Sequence, residues 1–256
     1  MPVRRPWRAA LGERVAEGLA GLRERLNHYA SLGAQFVKWR AVLAIGDELP
    51  SLAGIEVNAH VLARYAALCQ EAPLVPIVEP EVLMDGGHTL ARCSDVTAEV
   101  LHQVFEQLYR QGVALGGVIL KPNMVLPGLS CAVAASLDEV ANATLSCLRH
   151  AVPAAVAGAA FLAGGQPAAL ATARLNGMHL RKSFRGLASE SRWPSLPWPL
   201  TFSFGLALKQ PALHLWAGND SNRVAAQRAL PHRARCNAAA ARGAWRPAME
   251  TEGFPT

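Results

Sequence analysis

A lysine at the end of an apolar segment is the residue of this sequence best placed for covalent chemistry. The apolar residues 118–120 run directly into Lys121, and Pro122 follows at once. A continuous apolar run that stops at a proline is typical of a strand buried on both faces of a parallel sheet. An amine at the carboxyl end of such a strand is partly desolvated, which favours the neutral form that makes a Schiff base. The pattern fits equally well a strand-end lysine whose amine reaches solvent.

Two pairs of charged residues accompany earlier strand-like segments. Lys38 and Arg40 lie two residues apart in one segment, and Glu79 and Glu81 lie two apart at the end of the next. Side chains two apart on a strand project from the same face, so each pair shares a face. Two carboxylates beside two cations could neutralise each other and supply a general acid or base. For Lys38 and Arg40, a solvated strand end remains the alternative.

The elements that position these residues alternate between strand and helix. A leading helix is predicted over residues 14–33, and each later strand pattern is followed by a helical one. Such alternation argues for a parallel sheet with right-handed crossovers. The predicted strands are 34–45, 74–81, 118–120, 152–162 and 200–204. Helices are predicted over 55–71, 205–216 and 221–241. Three further helices are predicted from their start signals: one capped by Ser94 and Asp95, one opened by a capping box at Ser136, and one beginning near Pro167.

The composition indicates a globular protein and narrows its partners. Of the 256 residues, 51% are hydrophobic and 17% are charged, which argues against disorder. The net charge of +6 is spread along the chain, so it predicts no nucleic-acid partner but would suit a phosphorylated substrate. The five cysteines form an odd set without CxxC spacing, which disfavours a disulfide framework and a zinc site. Without a signal-peptide pattern or a membrane-length apolar run, the sequence predicts a cytoplasmic protein with no membrane partner.

Five short motifs in this sequence resemble those of the class I fructose-bisphosphate aldolase family, and they occur in the family's order. The motifs are Lys-Trp-Arg at 38–40, Val-Pro-Ile-Val-Glu-Pro-Glu at 75–81, Leu-Lys-Pro-Asn-Met at 120–124, Phe-Leu followed by Gly-Gly at 161–165, and Leu-Thr-Phe-Ser-Phe-Gly at 200–205. The second and third motifs are specific, whereas the glycine motif would be weak alone. The resemblance covers roughly residues 17–245.

The resemblance implies an α/β protein of the TIM (β/α)8-barrel family, of which this chain carries about strands 4–8. It implies cleavage of fructose 1,6-bisphosphate to dihydroxyacetone phosphate and glyceraldehyde 3-phosphate, with no metal or other cofactor. Lys121 would form the Schiff base, Glu79 would be the acid/base, Lys38 would help keep Lys121 unprotonated, and Glu81 would orient these cations. The implied substrate-binding residues are Arg40, Leu162, Gly164, Gly165, Ser203 and Gly205. Because the family is usually tetrameric, a homo-oligomer is expected.

The sequence also departs from the family pattern. The first three βα units are missing, Ala163 stands where the family has serine, and Leu206 stands where it has arginine. Both replacements fall at positions that bind the substrate's C1 phosphate in the family, here called the phosphate grip. The predicted organisation is a non-matching leader over 1–13, a partial barrel domain over 14–245 with an irregular stretch at 181–198, and a diverged tail over 246–256. Two alternatives to an active aldolase follow: a catalytically impaired or inactive fragment with an interaction role, and a Schiff-base lyase of altered substrate.

Overall fold

The computed structural model describes residues 3–6, 13–183 and 196–253. Two short strands, β1 (Val3–Pro6) and β2 (Arg14–Glu17), pair in antiparallel fashion before helix α1 (Leu22–Ser31). The single helix predicted over 14–33 is therefore wrong in its first part. Gly18 and Gly21 adopt positive φ values of 130° and 63°, which interrupt a helix, so the apolar spacing before them belongs to a strand and a turn.

A parallel five-stranded sheet follows, with its strands side by side in chain order, as predicted. The strands are β3 (Phe36–Leu43), β4 (Val75–Val82), β5 (Ile119–Leu120), β6 (Gly158–Phe161) and β7 (Leu200–Phe202). The strand predicted over 152–162 is shorter than expected because Pro153 lacks an amide donor and begins a turn, in which Val156 N–H donates to the Pro153 carbonyl at 3.2 Å.

A helix follows every strand of this sheet. The helices are α2 (Leu52–Glu71), α3 (Leu90–Arg110), α4 (Leu137–Ala151), α5 (Ala168–Ser183), α6 (Leu206–Trp216) and α7 (Arg223–Ala240), the last two following β7. The Ser136–Glu139 capping box forms as predicted. Helix α3 begins earlier than expected, because Thr89 rather than Ser94 caps it by accepting a hydrogen bond from Arg92 N–H.

The sheet and its helices share one apolar core. Large side chains from several elements, including Tyr65 of α2, Leu108 of α3 and Phe161 of β6, are fully buried in it. Of the stretch 181–198 that was predicted to be irregular, residues 184–195 lie outside the described part. Beyond them, buried Trp198 donates from Nε1 to the Pro153 carbonyl at 2.9 Å and so ties the start of β7 to the core. No helix in the described ranges is long and apolar enough to cross a lipid bilayer.

Candidate active site

Lys121 lies at the carboxyl end of β5, where the backbone leaves the sheet. Its amide N–H donates to the Val78 carbonyl at 2.8 Å, which extends the β4–β5 pairing by one residue. The carbonyl of the next residue, Pro122, accepts a hydrogen bond at 3.1 Å from Leu162 N–H just beyond β6. The backbone around Lys121 is thus held from both neighbouring strands, and the residue is only 9% exposed.

The Glu79 carboxylate lies between two lysine amines. Its Oε1 is 3.0 Å from Nζ of Lys121, and its Oε2 is 2.6 Å from Nζ of Lys38. The Oε2 contact is an ion pair by distance but is not aligned as a hydrogen bond. The side chains of Glu79 and Lys121 are buried, whereas that of Lys38 is 41% exposed. One buried carboxylate therefore balances a buried amine and connects it to a solvated one.

The register of β3 and β4 explains which charges meet. Arg40 lies directly opposite Glu79, yet Glu79 contacts Lys38, two residues earlier on β3. In the same way Arg40 forms an ion pair with Glu81, two residues further along β4. Diagonal neighbours across a strand pair are within reach of long side chains. The sequence placed all four charges on one edge of the sheet, and the structure resolves them into two diagonal ion pairs.

Asn123 supports the site and was not selected from the sequence. Its buried Oδ1 accepts a hydrogen bond from Val82 N–H at 3.2 Å, and its Nδ2 donates to Thr97 Oγ1 at 3.2 Å and to the Met124 carbonyl at 3.1 Å. The amide thereby ties the end of β4 to the segment after Lys121. Its signal was present, because the asparagine belongs to the motif at 120–124.

The glycine motif forms a tight turn beside Glu81. Gly164 and Gly165 adopt φ values of 61° and 93°, which side-chain-bearing residues rarely take. A Cβ on Gly164 would lie 3.1 Å from Leu162 Cδ1 and 3.9 Å from Glu81 Oε1. The predicted residues Leu162, Gly164 and Gly165 are therefore gathered next to the charged cluster.

Ser203 and Gly205 lie one strand further from the lysines. Ser203 N–H donates to the Phe161 carbonyl at 2.9 Å, and Gly205 precedes α6 as its N-cap. Within the described residues, no hydrogen bond or ion pair joins either residue to the Lys121 cluster. Among the described residues they share its edge of the sheet but make no polar contact with it.

The cluster contains what imine chemistry requires. The Lys121 amine can attack a carbonyl carbon, and the Glu79 carboxylate beside it can accept or donate the protons of that reaction. In the described ranges, no three histidine, cysteine, aspartate or glutamate side chains are arranged to hold a metal ion. The chemistry that these residues can perform is covalent amine catalysis assisted by a carboxylate.

Comparisons with known proteins identify relatives of this chain. The family model for class I fructose-bisphosphate aldolase, a glycolytic enzyme, matches residues 5–254. A probable class 1 fructose-bisphosphate aldolase of Xylella fastidiosa is 49% identical over 242 residues, which are 94% of this chain and 69% of the relative. Fructose-bisphosphate aldolase 2 of Caenorhabditis elegans is 47% identical over 238 residues, 93% of this chain and 62% of the relative. The chain thus spans about two thirds of the length of these relatives.

A solved structure gives the same result for the fold. The fructose-bisphosphate aldolase of Plasmodium falciparum, crystallised with TRAP and a small-molecule inhibitor, superposes with a TM-score of 0.88 at 39% identity. The superposition covers 95% of this chain and 67% of that one. The fold of the chain is accordingly that of an aldolase TIM-barrel protein, with a parallel sheet.

Proposed function

Because the chain belongs to the class I fructose-bisphosphate aldolase family, a family of aldehyde-lyases, we propose that it cleaves fructose 1,6-bisphosphate through a Schiff base on Lys121. The products are dihydroxyacetone phosphate and glyceraldehyde 3-phosphate. The observation that carries the proposal is the shared carboxylate: Glu79 lies 3.0 Å from the Lys121 amine and 2.6 Å from the Lys38 amine.

Each residue of the cluster has a defined part in the proposed reaction. The Lys121 amine passes its proton to Glu79 and adds to the C2 carbonyl of the ketose, and Glu79 returns that proton to the resulting hydroxyl, which leaves as water. The protonated imine then accepts the electron pair of the C3–C4 bond as that bond breaks, while the C4 hydroxyl gives its proton to the Glu79 carboxylate and the aldehyde is released. Protonation of the remaining enamine at C3 and hydrolysis by water release the ketone and free Lys121. The Lys38 amine lies 2.6 Å from the second oxygen of Glu79 and helps to orient that carboxylate. Glu81 holds Arg40 at the rim of the site.

The proposed substrate-binding residues surround this cluster. Arg40 is 34% exposed at its side chain and can meet a phosphate while still paired with Glu81. The remaining residues of the proposed binding surface are Leu162, Gly164, Gly165, Ser203 and Gly205. We propose that residues 14–245 form about strands 4–8 of the barrel, with a leader over 1–13 and a tail over 246–256. We also propose that the protein is cytoplasmic and forms a homo-oligomer.

A second candidate function rests on the two changes at the phosphate grip. Ala163 is 7% exposed and offers no hydroxyl, and Leu206 at the start of α6 is 63% exposed and carries no charge. A charge-assisted contact typically contributes about 1.5–3 kcal/mol, so its loss weakens binding roughly ten- to a hundredfold. A Schiff-base lyase acting on a less phosphorylated ketose is the function that these two residues favour.

The third candidate is an inactive aldolase-like protein that acts through interactions. It is favoured by the five-stranded sheet, because unpaired edge strands can pair with another chain.

Borohydride trapping separates these candidates. The folded protein, verified by circular dichroism and a cooperative melt, is incubated with dihydroxyacetone phosphate or with dihydroxyacetone and then reduced. An aldolase gives an adduct on Lys121 with the phosphorylated ketone at much lower concentration, and the Lys121→Met variant gives none. A lyase of altered substrate is trapped equally well by both ketones. Absence of an adduct in a folded sample rules out the Schiff-base proposal and leaves the inactive form.

A further inference from the structure

Helix α5 carries a buried arginine without an acidic partner in the described part of the chain. Arg174 is only 9% exposed, and a hydrogen bond of 2.7 Å runs from its Nη1 to Oε1 of Gln166. Its Nε is buried without an acceptor. Within the described residues, no carboxylate contacts it. The buried Arg233 of α7 differs, because it forms an ion pair with Glu250.

An unpaired buried cation lowers the stability of the folded protein unless a bound anion offsets its charge. Burial lowers the pKa of Arg174, and burial is the only cause of that shift. Arginine nevertheless remains charged in proteins, so the positive charge persists in the α5 layer. Such a charge destabilises the fold unless an anion offsets it. An anion that binds close to Gln166 would supply this compensation.

Arg174 determines how the Gln166 amide is oriented. A guanidinium only donates hydrogen bonds, so Oε1 of Gln166 has to face it. The Nε2 group of Gln166 consequently faces the Ala163 carbonyl, to which it donates at 2.7 Å. The backbone N–H of Gln166 donates to the same carbonyl at 3.1 Å. The carbonyl that opens the turn is thus held by two donors of one residue.

The turn held in this way presents two unused donors. Within the described ranges, the amide N–H groups of Gly164 and Gly165 donate no hydrogen bond, and Gly165 is exposed. Successive amides freed by a glycine turn form a concavity that binds anions. This turn lies beside Glu81 and therefore at the edge of the lysine cluster.

We propose that Arg174 is a positioning residue for phosphate recognition, which acts through Gln166 to hold the 163–166 turn with its two glycine amides open to the substrate's phosphate. The inference rests on the proposed function and deepens it. In a chain that has Ala163 and Leu206 at the family's phosphate-binding positions, the guanidinium bonded to Gln166 supplies positive charge from a different position.

The test compares Arg174→Met with a matched change on the same helix. The control is Arg181→Met, because Arg181 pairs with Asp138 at 2.9 Å and, within the described residues, no hydrogen bond or ion pair joins it to the turn. Inorganic phosphate is titrated while the amide signals of Gly164 and Gly165 are followed by NMR. Trapping by borohydride is measured in parallel with dihydroxyacetone phosphate and with dihydroxyacetone.

The expected result is selective for the phosphate. Arg174→Met raises the half-saturating concentration of inorganic phosphate and of dihydroxyacetone phosphate about tenfold, the low end for loss of a charge-assisted contact. Trapping with dihydroxyacetone stays unchanged, and Arg181→Met behaves as the unmodified protein. A residue that merely supports the fold would weaken both ketones equally, and that outcome, or an unchanged Arg174→Met, overturns the inference.

A second variant keeps the test decisive if Arg174→Met does not fold. Gln166→Glu gives Arg174 a carboxylate partner but removes the Nε2 donor to Ala163, so the melting temperature should rise while phosphate affinity falls at least about tenfold. A rise in both quantities contradicts the inference. If the unmodified protein forms no adduct with either ketone, the proposed function fails, while the phosphate titration still decides the part of Arg174.

Discussion

Replacing Glu79 by glutamine should destabilise the protein far more than the same change at Glu81, although both carboxylates lie on β4 and are equally buried. Glu79 is 4% exposed and Glu81 is 3% exposed. Their cations differ: the side chain of Lys121 is 11% exposed, and that of Arg40 is 34% exposed. Without its carboxylate, Arg40 can turn to solvent, whereas Lys121 remains in the core.

The magnitude follows from the burial of Lys121. Leaving a buried charge without its partner costs about 3–5 kcal/mol. We therefore expect Glu79→Gln to lower the free energy of unfolding by about 3–5 kcal/mol.

The matched variant should lose much less stability. The Arg40 side chain is partly exposed and can reach solvent, so Glu81→Gln should cost about 1 kcal/mol. Urea unfolding followed by tryptophan fluorescence measures both differences. Equal losses in the two variants would refute the assignment of Glu79 as the counter-charge of Lys121.

Three further perturbations test other parts of the structure. Burial lowers the pKa of His88, so unfolding should become easier as pH falls below about 6.5, and His88→Asn should flatten that slope in acid titrations of stability. A hydrogen bond from the backbone N–H of Ser136 lowers the pKa of Glu139. The stability from this helix cap is therefore fully present above the pKa of Glu139 in the unfolded chain and is lost in acid. Ser136→Ala should cost about 1 kcal/mol in urea unfolding. A Cβ on Gly128 would lie 2.2 Å from the Gly86 carbonyl oxygen, so Gly128→Ala should cost about 1–3 kcal/mol, whereas Gly116→Ala, whose nearest contact is at 3.8 Å, should be tolerated.

Much of the site followed from the period of the strands. Alternation along a strand places Lys38 with Arg40 and Glu79 with Glu81 on shared faces, and that placement holds in the structure. The pairing of individual charges could not be read in this way, because it depends on the register between β3 and β4, which the sequence of neither strand specifies. The same reasoning explains why Asn123 was missed: its partners come from β4 and α3, which local patterns do not connect.

The errors in the fold also have local causes. Val15 and Leu19 have helical spacing with Leu22, but the positive φ of Gly18 and Gly21 separates a strand from the helix. Arg174 lies in a helix that contains many small residues, and from the sequence alone a cation in such a helix is expected to face solvent. Its burial results from packing within the α5 layer, which composition does not reveal. Sequence patterns therefore locate secondary-structure elements and the faces of strands, whereas tertiary contacts decide which polar residues are buried.

The diagonal ion pairs between β3 and β4 have a further consequence for folding. If β3 slipped by one residue, Lys38 and Arg40 would turn to the opposite face, leaving Glu81 buried without a cation and Glu79 with Lys121 as its remaining partner. The unpaired Glu81 carboxylate would cost several kcal/mol, a substantial fraction of the stability of a typical domain. The charges proposed for catalysis thus also favour the native register during folding, since that alignment pairs both buried carboxylates with the cations of β3.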